Sequence, residues 1–223
     1  MKKRFTAVVA ATLYVIVILA ANRVGNYGRV IGRERPDNGE RGKYRQEPGF
    51  RSEQIARITA GLSLEAWQMV AERLCELTPQ MRHVIASVSL NSDDRHYRSV
   101  SEPAHCQPDY RICIKNWALV MYPFSINRAA ARAYLIWLEE EDESDFEARW
   151  AELKLPAISS RGSESLQEHI AEWFEHFHLV LNKKATAREA DPELYRQAAR
   201  LFVEYRFIDY DQYHRFVTEV LTR

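Results

Sequence analysis

His169, Glu172 and His176 lie three and four residues apart, and Glu175 with His178 forms an E-x-x-H pair. On a helix such steps bring side chains to neighbouring faces, where imidazole and carboxylate groups can converge on one metal ion. A di-iron bundle needs two such motifs on helices, with carboxylates from two further helices. The other E-x-x-H, Glu102 to His105, contains Pro103 and reads as a loop. The supporting ligands are missing, so the group reads as the polar edge of an amphipathic helix, and no metal is expected.

His96, His105, Cys106 and Cys113 form a second group of metal-ligating types. Structural zinc sites favour paired ligands two to four residues apart, so that one turn supplies two at once. His105 and Cys106 are adjacent and six residues separate Cys106 from Cys113, a poor match. Cys106 and Cys113 flank QPDYRI; they can pair as a disulfide in an oxidising compartment or stand as two reduced thiols. Cys75 falls in a helical pattern and reads as a small buried hydrophobe.

Other chemistries lack their motifs. There is no G-x-S-x-G elbow and no cysteine in an obvious activating context, so no catalytic residue is assigned. No glycine-rich loop opens a helix after a strand, and no cofactor is expected. The chain carries 31 basic and 31 acidic residues, interspersed, which gives no pull toward nucleic acid. The acidic run 139–143, EEEDE, reads as a solvated helix end, with a basic partner surface as the sharper alternative. Tyr205, Phe207, Tyr210 and Tyr213 crowd the end of the chain, more aromatics than one core face takes, and are the candidate protein interface.

The elements that would position these residues are mostly helical. Leu64, Trp67, Ala71, Leu74 and Thr78 recur at steps of three and four behind Ser63, a plausible N-cap. Pro79 interrupts, and Met81, Val84, Ile85 and Val88 form a second stripe. Residues 91–111 are polar with two prolines and read as a long loop. Residues 112–124, ICIKNWALVMYPF, look too apolar to expose and fit either a short buried helix or a strand. Ile126, Ala130, Ala133, Tyr134, Trp137 and Leu138 line the next helix. Ser144 can cap another, carrying Phe146, Trp150 and Leu153. Ser165 with Glu168 makes a capping-box pattern before Ile170, Trp173, Phe174, Phe177 and Leu181. Asp191-Pro192 starts the helix of Leu194, Ala198, Leu201, Phe202, Tyr205 and Ile208. Tyr213, Phe216, Val217, Val220 and Leu221 form the last stripe. The fold class expected is mainly α, with about six to eight helices over residues 52–223 on one aromatic core.

Ahead of this domain stands FTAVVAATLYVIVILAAN, eighteen uncharged residues between Arg4 and Arg23. As a helix it would be about 27 Å long, near the hydrocarbon thickness of a bilayer, with Phe5, Val9, Leu13, Val17 and Ala21 spaced through it. A signal peptide has a shorter apolar stretch and a small-residue cleavage site. Here a cut after Ala21 puts Leu19 at the minus-three position, and one after Ala20 puts Ile18 there. Residues 1–22 therefore read as a retained anchor in the lipid bilayer. Residues 23–51 hold six of the eight glycines among many arginines and read as a flexible tether. Basic residues flank the stretch on both sides; a short basic N-terminus is the commoner inside flank, which places the domain in the periplasm of a bacterial inner-membrane protein.

MKKRFTAVVAATLYVIVILAAN, the tether GNYGRVIGRERPDNGERGKYR and an α-rich remainder without a catalytic motif give the chain a layout that resembles the entry-exclusion proteins of conjugative plasmids. The resemblance implies a single-pass protein of the recipient's inner membrane that blocks redundant conjugative transfer by binding a component of the donor's transfer apparatus. It carries over no functional residue. The reading is thus a membrane-anchored protein-binding module, not an enzyme. The alternatives are an anchored or secreted periplasmic enzyme with a site near the 91–113 loop, and an immunity or inhibitor protein.

Overall fold

Local capping chemistry sets several helix starts. Ser63 Oγ accepts from Ala66 N at 3.3 Å and opens α2 (Leu64–Glu76); Thr78 Oγ1 accepts from Met81 N at 3.4 Å and opens α3 (Pro79–Val84), with Pro79 in the first turn where a missing N–H costs nothing. A computed structural model describes residues 48–91, 103–141, 145–183, 192–219 and 221. Before α2 comes α1 (Pro48–Ile58), and Glu53–Arg223 makes one compact unit. After α3 follow β1 (Ser87–Asn91), β2 (Ala104–Cys106), β3 (Arg111–Lys115), α4 (Asn116–Met121), α5 (Ser125–Glu140), α6 (Phe146–Glu152), a 3-10 turn (Arg161–Ser163), α7 (Leu166–Leu181), α8 (Pro192–Glu204) and α9 (Tyr210–Glu219).

The architecture is mainly helical, with nine α-helices among the described residues and a small sheet that the sequence reading lacked. The sheet has order β1-β3-β2, with β1 parallel and β2 antiparallel to β3. Its β2 lies inside the stretch expected to be loop: three residues are too few to show an alternating pattern. The QPDYR connection is a tight hairpin. Tyr110 N donates to Gln107 O at 3.0 Å, Gln107 N donates to Arg111 O at 2.8 Å, and Tyr110 takes the left-handed conformation at φ 63°. The ambiguous stretch 112–124 proves to be both alternatives in turn: β3 ends at Lys115 and α4 begins at Asn116.

Helix α5 is the central element. Ile126, Ala129, Ala130, Ala131 and Ala133 are buried almost all round it, so small side chains let its neighbours approach closely. Around it α6, α7, α8 and α9 build an aromatic core. Trp150 meets Phe202 at 4.9 Å between ring centres, Phe146 meets Phe207 at 4.8 Å, and Phe177 meets Phe216 at 4.5 Å. The stripes read on α7 and α8 face this core as expected. On α2 the buried face is Ala66, Val70, Ala71 and Leu74, whereas Leu64, at the first helical position, is exposed. Arg82 is buried against the end of α2, where it donates to the carbonyls of Leu74 and Leu77.

Phe207 follows the turn that closes α8 and is fully buried among Tyr134, Phe146, Phe174 and Phe202. Phe207→Ala is expected to lower unfolding stability by about 3–5 kcal/mol in denaturant titration, while Tyr210→Ala, three residues on and half exposed, shifts it by less than about 0.5 kcal/mol.

Candidate functional site

Helices α5 and α7 are joined by a seam of charge. Arg128 and Arg132, four residues apart on α5, both reach Glu168 in the first turn of α7, at 2.6 and 2.8 Å. Arg161, from the 3-10 turn, lies 3.4 Å from the same carboxylate. Arg128 also stands 3.9 Å from each of Glu172 and Glu175. The capping box read at Ser165 and Glu168 is therefore half formed. Ser165 Oγ accepts from Glu168 N at 3.1 Å, but the Glu168 carboxylate turns to the arginines instead of back to the cap. Glu172 holds the preceding loop: it accepts from Ile158 N at 3.2 Å, Ser159 N at 3.1 Å and the Ser159 hydroxyl. Gly162 lies so close that a Cβ there would stand 2.0 Å from Glu172 Oε2.

The helix expected to carry metal-ligand types scatters them over separate contacts. His169 Nδ1 accepts from Trp150 Nε1 at 3.2 Å, and its Nε2 is 3.3 Å from Pro156 O. His176 Nε2 is 3.4 Å from the Tyr195 hydroxyl. His178 is fully buried, 3.4 Å from Glu76, with the Phe174 ring 4.6 Å away. Glu76 also pairs with Arg73 at 2.9 Å and accepts from Asn127 Nδ2 at 3.4 Å. Among the described residues no group of three or more His, Cys, Asp or Glu is placed to hold a metal ion; His96 lies outside them. The acidic run, too, is partly engaged: Glu139 accepts from Gln167 at 2.6 Å and Glu140 accepts from the Tyr110 hydroxyl.

Cys106 and Cys113 are free thiols, which corrects the disulfide alternative. Register explains it. Cys106 stands opposite Ile112 and Cys113 opposite His105, so the two sulfurs leave opposite faces of the sheet. Cys106 points into the core, where burial pushes its thiol up to about 12. Cys113 is half-buried on the other face.

The aromatics proposed from sequence as an interface separate. Phe207 belongs to the core, as above. Tyr205 is half-buried; its hydroxyl donates to Asp145 and accepts from Arg149 at 3.0 Å. The Tyr213 hydroxyl accepts from Arg200 at 3.4 Å, and Tyr210 is the exposed member, 6.0 Å from Tyr213 between ring centres.

The apolar surface lies elsewhere. Trp117, Val120, Met121 and Tyr122 are exposed, Val120 at 72% and Met121 at 67%, while Ala118 and Leu119 pin α4 to the core. Trp117 and Tyr122 meet edge to face at 5.8 Å. Trp117, Val120 and Met121 stand at i, i+3 and i+4, one helical face. The stretch judged too apolar to expose thus exposes five of its thirteen residues. The signal was present in its spacing, but a six-residue helix shows too little pattern to tell its inner face from its outer one.

No protein-family model, curated protein or solved structure matches the chain. No helix among the described residues is long and apolar enough to cross a membrane, and Phe5, Val9, Leu13, Val17 and Ala21 lie outside those residues.

Burial, offset in part by Arg128 and reinforced by the charge of Glu172, raises the Glu175 carboxyl to about 7. The folded protein thus holds this proton more tightly than the unfolded chain. Its stabilising contribution is full below the ordinary carboxylate range and is lost as pH rises through about 7. Glu175→Gln should flatten this dependence: wild type is expected to lose on the order of 2 kcal/mol relative to the variant between about pH 5 and about pH 8, read from denaturation midpoints. Gly162→Ala should cost about 1–3 kcal/mol, because Glu172 must leave the backbone donors of Ile158 and Ser159.

Proposed function

We propose that the chain is a membrane-anchored protein-binding module that acts as an entry-exclusion protein, held in a bacterial inner membrane by residues 5–22 with its helical domain in the periplasm. The observation that carries the binding reading is the outward face of α4. Trp117, Val120 and Met121 occupy one helical face, and the ten residues 116–125, NWALVMYPFS, contain no Asp, Glu, Lys or Arg. Trp, Tyr and Met are the side chains enriched at the buried centres of protein interfaces, where charge is depleted. An i, i+3, i+4 set of anchors on a helix suits insertion into an apolar groove of a partner. Anchor, tether and layout supply the place: a surface facing incoming transfer machinery, with a component of that machinery as the partner.

The full chain expressed in recipient cells should lower the frequency with which its cognate plasmid is received, and Trp117→Asp with Met121→Asp should restore transfer. Binding of the partner should weaken by about 2 kcal/mol or more in that double variant. Unchanged transfer across a broad plasmid panel, with expression confirmed, overturns the exclusion reading. A reporter active only in the periplasm, fused after Arg223, should be active; silence would move the domain to the cytoplasm.

A further inference from the structure

The exposed face of α4 is small, convex and held in place. Ala118 and Leu119 bury the inner side of the helix, and Phe124, just beyond it, is buried with the Arg73 guanidinium 4.4 Å from its ring centre. Trp117 itself has two contacts: the Tyr122 ring meets it at 5.8 Å between centres, and the Lys115 ammonium stands 5.8 Å from its ring. At 43% it is the most exposed of the five tryptophans; Trp150 and Trp173 are buried, and Trp67 and Trp137 are half-buried. A stable interface between two proteins takes about 20–30 residues from each side. A six-residue helix falls far short of that, and in a symmetric pair a second copy would offer only the same convex face in return. A bilayer makes no such demand. Its interface takes up single side chains, and Trp and Tyr are the residues enriched there.

We propose that this face sits in the headgroup layer of the membrane that holds the chain, with Trp117 and Tyr122 among the headgroups and Val120 and Met121 toward the acyl chains. The proposal rests on the reading of residues 5–22 as an anchor. Given that anchor, the twenty-five residues 23–47 lead to the start of α1 at Pro48. A chain of that length reaches at most about 80–90 Å, and a domain of this size measures roughly 40 Å across, so any face of the domain can be turned to the lipid. Chemistry selects α4. Residues 116–125 bring no Asp, Glu, Lys or Arg that would have to leave water, and the side chains of Val120 and Met121, exposed as they are, gain by leaving it. An anchored domain meets its own bilayer at high effective concentration, so insertion of a few side chains suffices. A protein partner of α4 then takes the face from lipid and not from water.

No tryptophan lies within residues 5–22, so tryptophan emission reports the helical domain alone. The full chain is reconstituted in vesicles of phosphatidylethanolamine and phosphatidylglycerol, with and without bromine on the acyl chains near the headgroups. Flotation in high salt reads the anchor, and quenching by bromine reads α4. The chain is expected to float with part of its emission quenched, and Trp117→Phe should remove most of that quenching. Val120→Asp with Met121→Asp, which keeps Trp117 and changes only exposed positions, should also remove it and shift the Trp117 emission to the red. Unquenched emission from floating chain, or quenching that either variant retains, overturns the proposal and leaves the anchor standing. Unquenched emission that moves to the blue as the ratio of protein to lipid rises gives the face to a second copy and overturns it equally. Chain that fails to float removes the anchor, and the proposal with it.

Discussion

Three guanidinium groups converge on one carboxylate, and the fold is arranged around that contact. Glu168 receives Arg128 and Arg132 from α5 and Arg161 from the loop before α7. Once these groups are withdrawn from water, removing any one strands the others, so the seam has few ways to be rearranged. It sets the lengthwise register of α5 against α7. The other ties follow from it: Glu172 can close over the loop only with Gly162 beneath its carboxylate, and Asn127, one residue before Arg128, lies where it can reach Glu76. Ion pairs of this kind add less net stability than apolar packing of the same volume. What they contribute here is the selection of one alignment of two helices whose alanine-rich and aromatic faces would pack at several.

The two sides of the sheet and the short helix after it show how one segment yields surfaces of different character. Ile112 and Ile114 point inward and bring α5 against the sheet, while Cys113 between them points out. Past Lys115 the chain changes from extended to helical, and the period of its burial changes from two to about three and a half. Ala118 and Leu119 continue the inner surface, and Trp117, Val120 and Met121 become the outer one. The polar face around Cys113 and the apolar helical face of α4 are thus neighbours in sequence with unrelated chemistry.

Much of the helical part was legible in the residues. Ser63, Ser165 and Pro192 mark helix starts where they were read, and the aromatic stripes of α7 and α8 are core because a period near 3.6 survives over three or four turns. The shortest elements were not legible, since β2 has three residues and α4 six. Exposure was misjudged where composition stood in for direction. Residues 112–124 are apolar enough to be core, and Phe207 belongs to an aromatic cluster that looked like surplus, yet the former is partly outside and the latter wholly inside.

By itself the sequence determined which of the longer stretches are helical, where several of them begin, and that Phe5–Asn22 carries no charge over a length able to span a bilayer. These are local properties, set by spacing, capping and transfer free energy, and each can be evaluated within one window of the chain. The tertiary structure alone decided which carboxylate the arginines of α5 share, which face of the sheet each cysteine occupies, and which side of α4 meets solvent. Those outcomes depend on register between segments distant in the chain. A shift of one residue in the β2–β3 pairing would exchange the environments of Cys113 and its neighbours, and no local pattern records that choice.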